Sequence, residues 1–136
     1  MPRELANTAF FGRTFDEALA LVVEARDYVA NRLSTDREAV SLDDQLLCDC
    51  ETLRMTSRLT HIMAWLLIQR AVHEGEIPPE EAQEEANRLG GHKVCLVEEP
   101  ETIERLPTRL QSLLTRSHKL FMRVARLDEM AARGAV

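Results

Sequence analysis

Apolar residues recur every three or four positions along three stretches of the chain, the spacing of amphipathic helices. In the first, Phe15, Ala18, Leu19, Val22, Ala25, Val29 and Leu33 fall into line. Thr14 stands ahead of them with Glu17 three residues on, the arrangement of a capping box, and Asp16 and Glu17 suit the positive end of a helix dipole. Ser34 and Thr35 end the pattern, which predicts a helix over 14–33. Residues 1–13 show no periodicity and are expected to form a loose arm, with the adjacent Phe10 and Phe11 able to dock it onto the body.

Ser41 with Asp44 opens a second pattern that meets no breaker until Gly75. It predicts a helix over 42–74, about 50 Å long at 1.5 Å per residue. Its apolar positions include Leu46, Leu47, Leu53, Leu59, Ile62, Met63, Leu66, Leu67 and Ala71. From Ile62 to Ile68 every residue is apolar. A helix apolar all round must be covered all round, and one bundle covers about half of it. A second subunit is the simplest cover for the rest. The expectation is a homodimer, with Ile62, Met63, Trp65, Leu66 and Ile68 as core and dimer candidates.

Glu-Ile-Pro-Pro-Glu-Glu then stops one helix and starts another, predicting a short helix over 79–89 that Gly90-Gly91 ends. Val94–Val97 is a brief apolar patch expected to pack on the bundle. Leu110, Leu113, Leu114, Ser117, Leu120, Phe121, Val124 and Leu127 form a third seam, predicting a helix over 107–132. The fold expected is all-α: an antiparallel three-helix bundle in one domain, 14–132, with a short tail at 133–136.

Composition narrows the class. The 136 residues are 45% hydrophobic and 29% charged, which excludes a disordered or collagen-like chain. The Ile62–Ile68 run is far short of the roughly 20 apolar residues that span a bilayer. Pro2, Arg3 and Glu4 leave no apolar segment for a signal peptide, and three cysteines make no disulfide framework. A reducing cytoplasm is expected. The net charge of −6 disfavours nucleic acid as a partner. Charge is uneven, however. Glu76 to Glu104 holds nine Glu against two basic residues, whereas from Arg105 onward seven basic residues face two acids. The simplest reading is a basic helix that complements acidic neighbours.

Catalytic and metal chemistry find little support. Cys48 and Cys50 point about 200° apart on a helix and cannot chelate one ion together, and adding His92 and Cys95 matches no zinc spacing. No Glu-x-x-His pair, P-loop, G-x-S-x-G or H-E-x-x-H occurs. No cofactor and no enzyme activity are expected. A helix-turn-helix built on 62–74 and 79–89 would present Glu80, Glu81, Glu84 and Glu85 to phosphates. Arg54 and Arg58 share one helical face, with Arg70 further along. They either pair with neighbouring acids such as Asp49 or Glu51, or form a basic strip for an acidic partner. The three are the partner-binding candidates.

The stretch from Cys50 to Glu76, with Glu51, Arg54, Thr56, Arg58-Leu59, Trp65-Leu66-Leu67, Gln69-Arg70-Ala71 and Gly75-Glu76, resembles the second-helix core of the RcdA family, regulators of CtrA degradation in alphaproteobacteria. Phe15 to Tyr28 is similar to the family's first helix, and Arg116-Ser117, Leu120 and Arg123 to Asp128 to its last. The resemblance implies a dimeric three-helix bundle without enzymatic activity. It implies an adaptor that joins ClpX in the ClpXP protease, primed by a CpdR-like response-regulator protein, and delivers cell-cycle regulators at the cell pole. It also implies a longer delivering tail than 133–136, so delivery altered or lost is expected here. Two other readings remain open: a ligand-binding protein or enzyme built around His61, Arg58 and Cys50, and a DNA-binding regulator using the last helix.

Overall fold

A computed structural model describes residues 3–134 of the chain. Among them are six helices: α1 (Arg3–Asn31), α2 (Leu33–Glu38), α3 (Leu42–His73), α4 (Pro79–Ala82), α5 (His92–Cys95) and α6 (Thr108–Ala132). Two short 3-10 helices, Glu85–Asn87 and Glu101–Arg105, lie between the later ones.

The first helix starts earlier than its pattern predicts. Thr14 does not cap it: its hydroxyl donates to the Phe10 carbonyl at 3.1 Å, four residues back inside a continuing helix. The expected arm is therefore the opening of α1 from Arg3, with residues 1–2 outside the described range. Phe11 is buried, with its ring 5.9 Å from Trp65 and 4.9 Å from His73, so core packing extends α1 beyond any capping signal. The core-facing seam of α1 is Phe11, Thr14, Ala18, Leu21, Ala25 and Tyr28. Leu19 and Val29, expected in that seam, are exposed beside it. The chain past Asn31 makes a further helix, α2, held by Tyr28 Oη donating to Asp36 at 2.8 Å and by the Arg37–Asp49 pair.

Ser41 does cap α3, accepting from the Asp44 amide at 3.3 Å. Glu24 on α1 pairs with Arg116 on α6, and Glu17 with Arg123, so these helices run antiparallel. Phe11 meets His73, so α1 also runs against α3. But Arg58 reaches Ser117 and Trp65 reaches Asp128. The numbers rise together: α3 and α6 are parallel, a correction to the wholly antiparallel expectation. The physical reason is the 74–107 connector, a crossover that carries the chain back along the bundle before α6 begins.

That connector is docked along its length. Gln83 donates to Ala131 O, Arg88 pairs with Asp128, the His92 ring packs on Phe121, and His118 meets Leu96 O. The helix expected over 79–89 breaks after Ala82, because Glu84 turns extended (ψ 144°) and Asn87 donates its side-chain amide to Glu81 O. Leu89 enters the core instead. Gly91 then turns the chain at φ +81°, where a Cβ would sit 2.5 Å from the His61 ring. Only glycine permits both that turn and that approach.

Candidate interaction surfaces

The predicted site residues separate into frame and surface. Ile62, Trp65 and Leu66 are buried in the core, while Met63 and Ile68 are half-buried. Trp65 Nε1 donates to Asp128 Oδ1 at 2.9 Å. Asp128 also receives both Arg88 guanidinium contacts at 2.9 Å and the Leu89 amide at 3.3 Å. One buried carboxylate thus ties α3, α6 and the connector, and a carboxylate accepting that many donors is well compensated for burial.

The arginine strip does not form. Arg58 is fully buried. Its donors go to Cys95 O (3.0 Å), Val97 O (3.3 Å), Leu114 O (3.5 Å) and Ser117 Oγ (3.4 Å). It clamps connector and α6 to α3, which corrects its assignment as a partner-binding residue. Burial pushes its guanidinium pKa down, offset in part by nearby Glu51. Arg54 pairs with Glu51 one turn away. Arg70 pairs with Glu74 at 3.1 Å and lays its guanidinium over Phe15, 5.2 Å from the ring centre. It rims a notch of about 330 Å³ lined by Phe11, Phe15, Leu66 and His73. Burial lowers the His73 pKa from its ordinary value.

The residues proposed for a ligand site do not converge. Cys50 is exposed, Arg58 is interior, and His61 lies under Gly90 and Gly91. Among the described residues no group of three metal-ligating side chains comes together, and the three cysteines are free. Burial raises the Cys48 pKa, which disfavours its thiolate. No helix among the described residues is long and apolar enough to cross a membrane.

What the structure does expose is apolar. On α3, Leu42, Leu46, Leu53 and Leu67 are 81%, 67%, 70% and 52% exposed. At 100° per residue they cluster on the side of α3 opposite Ile62 and Leu66. The strip spans about 38 Å at 1.5 Å per residue. Beside its C-terminal half, α1 contributes Val22, Ala25 and Val29 to a groove of about 560 Å³ that is walled on α3 by Leu59, Met63 and Leu67. Exposed apolar strips of this length mark candidate interaction sites.

Comparison with known proteins decides the family. Residues 3–136 match the family described as protein of unknown function DUF1465. The crystal structure of RcdA from Caulobacter crescentus CB15 superposes with a TM-score of 0.72, at 40% sequence identity over 89% of each chain. The chain belongs to the RcdA family. No curated protein matches it. Within an RcdA-family bundle, the second-helix motif reads as architecture more than as a binding site: Glu51, Arg58, Leu59, Trp65, Leu66 and Gln69 are its buried members. Asp128 and the Gly90-Gly91 turn escaped notice as structural nodes. A single pair of acids, Asp128 and Glu129, in an otherwise basic helix was the signal for the first. For the second, the paired glycines stood out in a chain with only five.

Proposed function

We propose that the chain is a non-enzymatic adaptor in regulated proteolysis that acts as a homodimer. The observation that carries this reading is the 40% identity to RcdA over 89% of both chains. The apolar strip on α3 and its groove with α1 support the dimer, because they leave the half of α3 that the bundle does not cover. Two copies laid strip to strip bury the exposed leucines and supply contact along most of α3. Standard stable interfaces bury about 800 Å² per partner, which a strip of this length can provide.

In this reading the dimer binds ClpX primed by a CpdR-like factor and holds a cell-cycle regulator beside it. Tethering raises the local cargo concentration toward the millimolar range without any covalent chemistry. The work takes place in the cytoplasm, at the cell pole. Arg54 and Arg70 contact the partner from the surface, while Arg58 keeps the frame. Surface ion pairs such as Arg70–Glu74 are weak enough to exchange for a partner's carboxylate.

The test is reconstitution with the cognate ClpXP and CpdR-like factor. Retention of the protein on primed ClpX together with faster turnover of a candidate regulator is the expected result. Failure to bind ClpX, primed or not, would sink the adaptor reading. Sedimentation at micromolar concentration checks the dimer separately.

A further inference from the structure

The α1–α6 face carries a gap in an otherwise regular ladder of charge. Arg109, Arg116 and Arg123 recur one heptad apart on α6, and Lys119 and Arg126 do the same beside them. Arg116 is held by Glu24 through two contacts of 2.7 and 2.8 Å, and Arg123 by Glu17 at 2.5 Å. Arg109 stacks on Tyr28, 5.3 Å from the ring centre. Midway between the two ion pairs the antiparallel register brings Lys119 opposite Ala20. Alanine has nothing to offer an ammonium, and among the described residues neither Lys119 nor Arg126 makes an ion pair.

The gap is a cavity of about 340 Å³, with the buried Leu21 and Leu120 among its lining and Arg116–Glu24 and Arg123–Glu17 at its two ends. A second donor is idle there. Arg123 Nε is shielded from solvent and has no acceptor. Glu17 and Glu24 face the same groove, but each already holds an arginine. The free groups are therefore donors: an ammonium and a buried guanidinium N–H, over apolar walls. Leaving such a donor unpaired costs stability, so the arrangement favours an incoming acceptor.

We infer that this face docks an acidic segment of a partner protein, with a carboxylate entering the gap between Lys119 and Arg123. The heptad spacing of the cations matches a helix that carries Asp or Glu at the same interval. Nucleic acid is the poorer fit, because Glu17 and Glu24 in the groove would repel a continuous line of phosphates. The inference goes beyond the adaptor reading and does not depend on it. It concerns carboxylate recognition, whatever the partner's role, on a face distinct from the α1–α3 groove.

The probe is an alanine-based helical peptide with glutamates one heptad apart, titrated into the isotopically labelled protein and followed by amide chemical shifts. Shifts are expected around Ala20 and from Lys119 to Arg123, and the glutamine version of the peptide is expected to produce none. Lys119→Glu should weaken binding about ten-fold or more, equivalent to about 1.4 kcal/mol. Ala20→Glu should abolish binding by filling the gap from within, while raising the thermal midpoint slightly. Arg32→Glu, an exposed residue between α1 and α2, should leave binding unchanged. No binding at millimolar peptide, equal shifts with the glutamine peptide, or full binding by Ala20→Glu would each overturn the inference. So would a DNA duplex that displaces the peptide at matched charge, because the face would then recognise phosphate.

Discussion

Helices α3 and α6 lie side by side in one bundle and use their apolar residues differently. In α6 the seam from Leu110 to Leu127 is buried throughout, Arg109 and Arg116 flank it on the side toward α1, and Lys119 and Arg126 lie on the exposed side. In α3 only part of the apolar inventory is used. Met55, Ile62, Trp65 and Leu66 are buried, while Leu42, Leu46, Leu53 and Leu67 stand in solvent. A helix packed on one side needs one stripe, and the second stripe of α3 is left largely uncovered within this chain. The contrast separates residues that hold the fold from residues available to a partner, although both kinds are leucines on the same helix.

The comparison breaks most visibly at Trp65. Trp65→Ala removes the largest buried side chain of α3 and strands Asp128 of one donor, so a loss of about 3–5 kcal/mol is expected. Chemical denaturation with far-UV dichroism reads it directly; a loss below 1 kcal/mol would mean the Trp65–Asp128 node is not structural. Arg58→Met comes next. It deletes the donors for Cys95 O, Val97 O and Ser117 Oγ, and a loss of about 2–3 kcal/mol is expected, concentrated in the connector. Hydrogen exchange should show the amides of 92–97 opening before those of α6. Uniform exchange across the chain would deny Arg58 its clamping role.

Leu67→Asp sharpens the other side. At an exposed position it should alter monomer stability by no more than about 0.5 kcal/mol while shifting the sedimentation species from dimer to monomer. A dimer that survives this change places the interface elsewhere. The smallest effect concerns pH. The His73 pKa is lowered by burial, so its neutral form is favoured in the folded state. The associated stability is present above its ordinary value of 6.5 and is lost as pH falls through the lowered folded value. His73→Gln should flatten that acid-side decline in thermal midpoint. An unchanged slope would assign the decline to other groups.

Much of α6 was legible in the sequence because its apolar and polar residues are segregated. Each seam position from Leu110 to Leu127 is buried, and its predicted start differs from the observed one by a single residue. The Ser41 cap was equally plain. In α1 the apolar residues run around the helix, so periodicity alone could not say which stripe faced inward, and Leu19 and Val29 were placed in the wrong one. Of the candidate site residues, the strip fared worst. Spacing correctly placed Arg54 and Arg58 on adjacent turns, but it carries no information on whether a neighbouring segment will close over one of them.

The sequence by itself determined the three long helices, the extents of α3 and α6, and an apolar excess on α3 larger than one bundle can cover. Those are local quantities, set by periodicity and capping within a few residues. The tertiary structure alone decided the parallel pairing of α3 with α6, the burial of Arg58 and the gap opposite Lys119. Each depends on residues far apart in the chain, brought together by a crossover whose path is fixed by contacts such as Asp128 with Arg88 and Leu89. The Asp128 carboxylate on the last helix helps hold that connector in place, and the connector in turn closes over Arg58 and makes it interior.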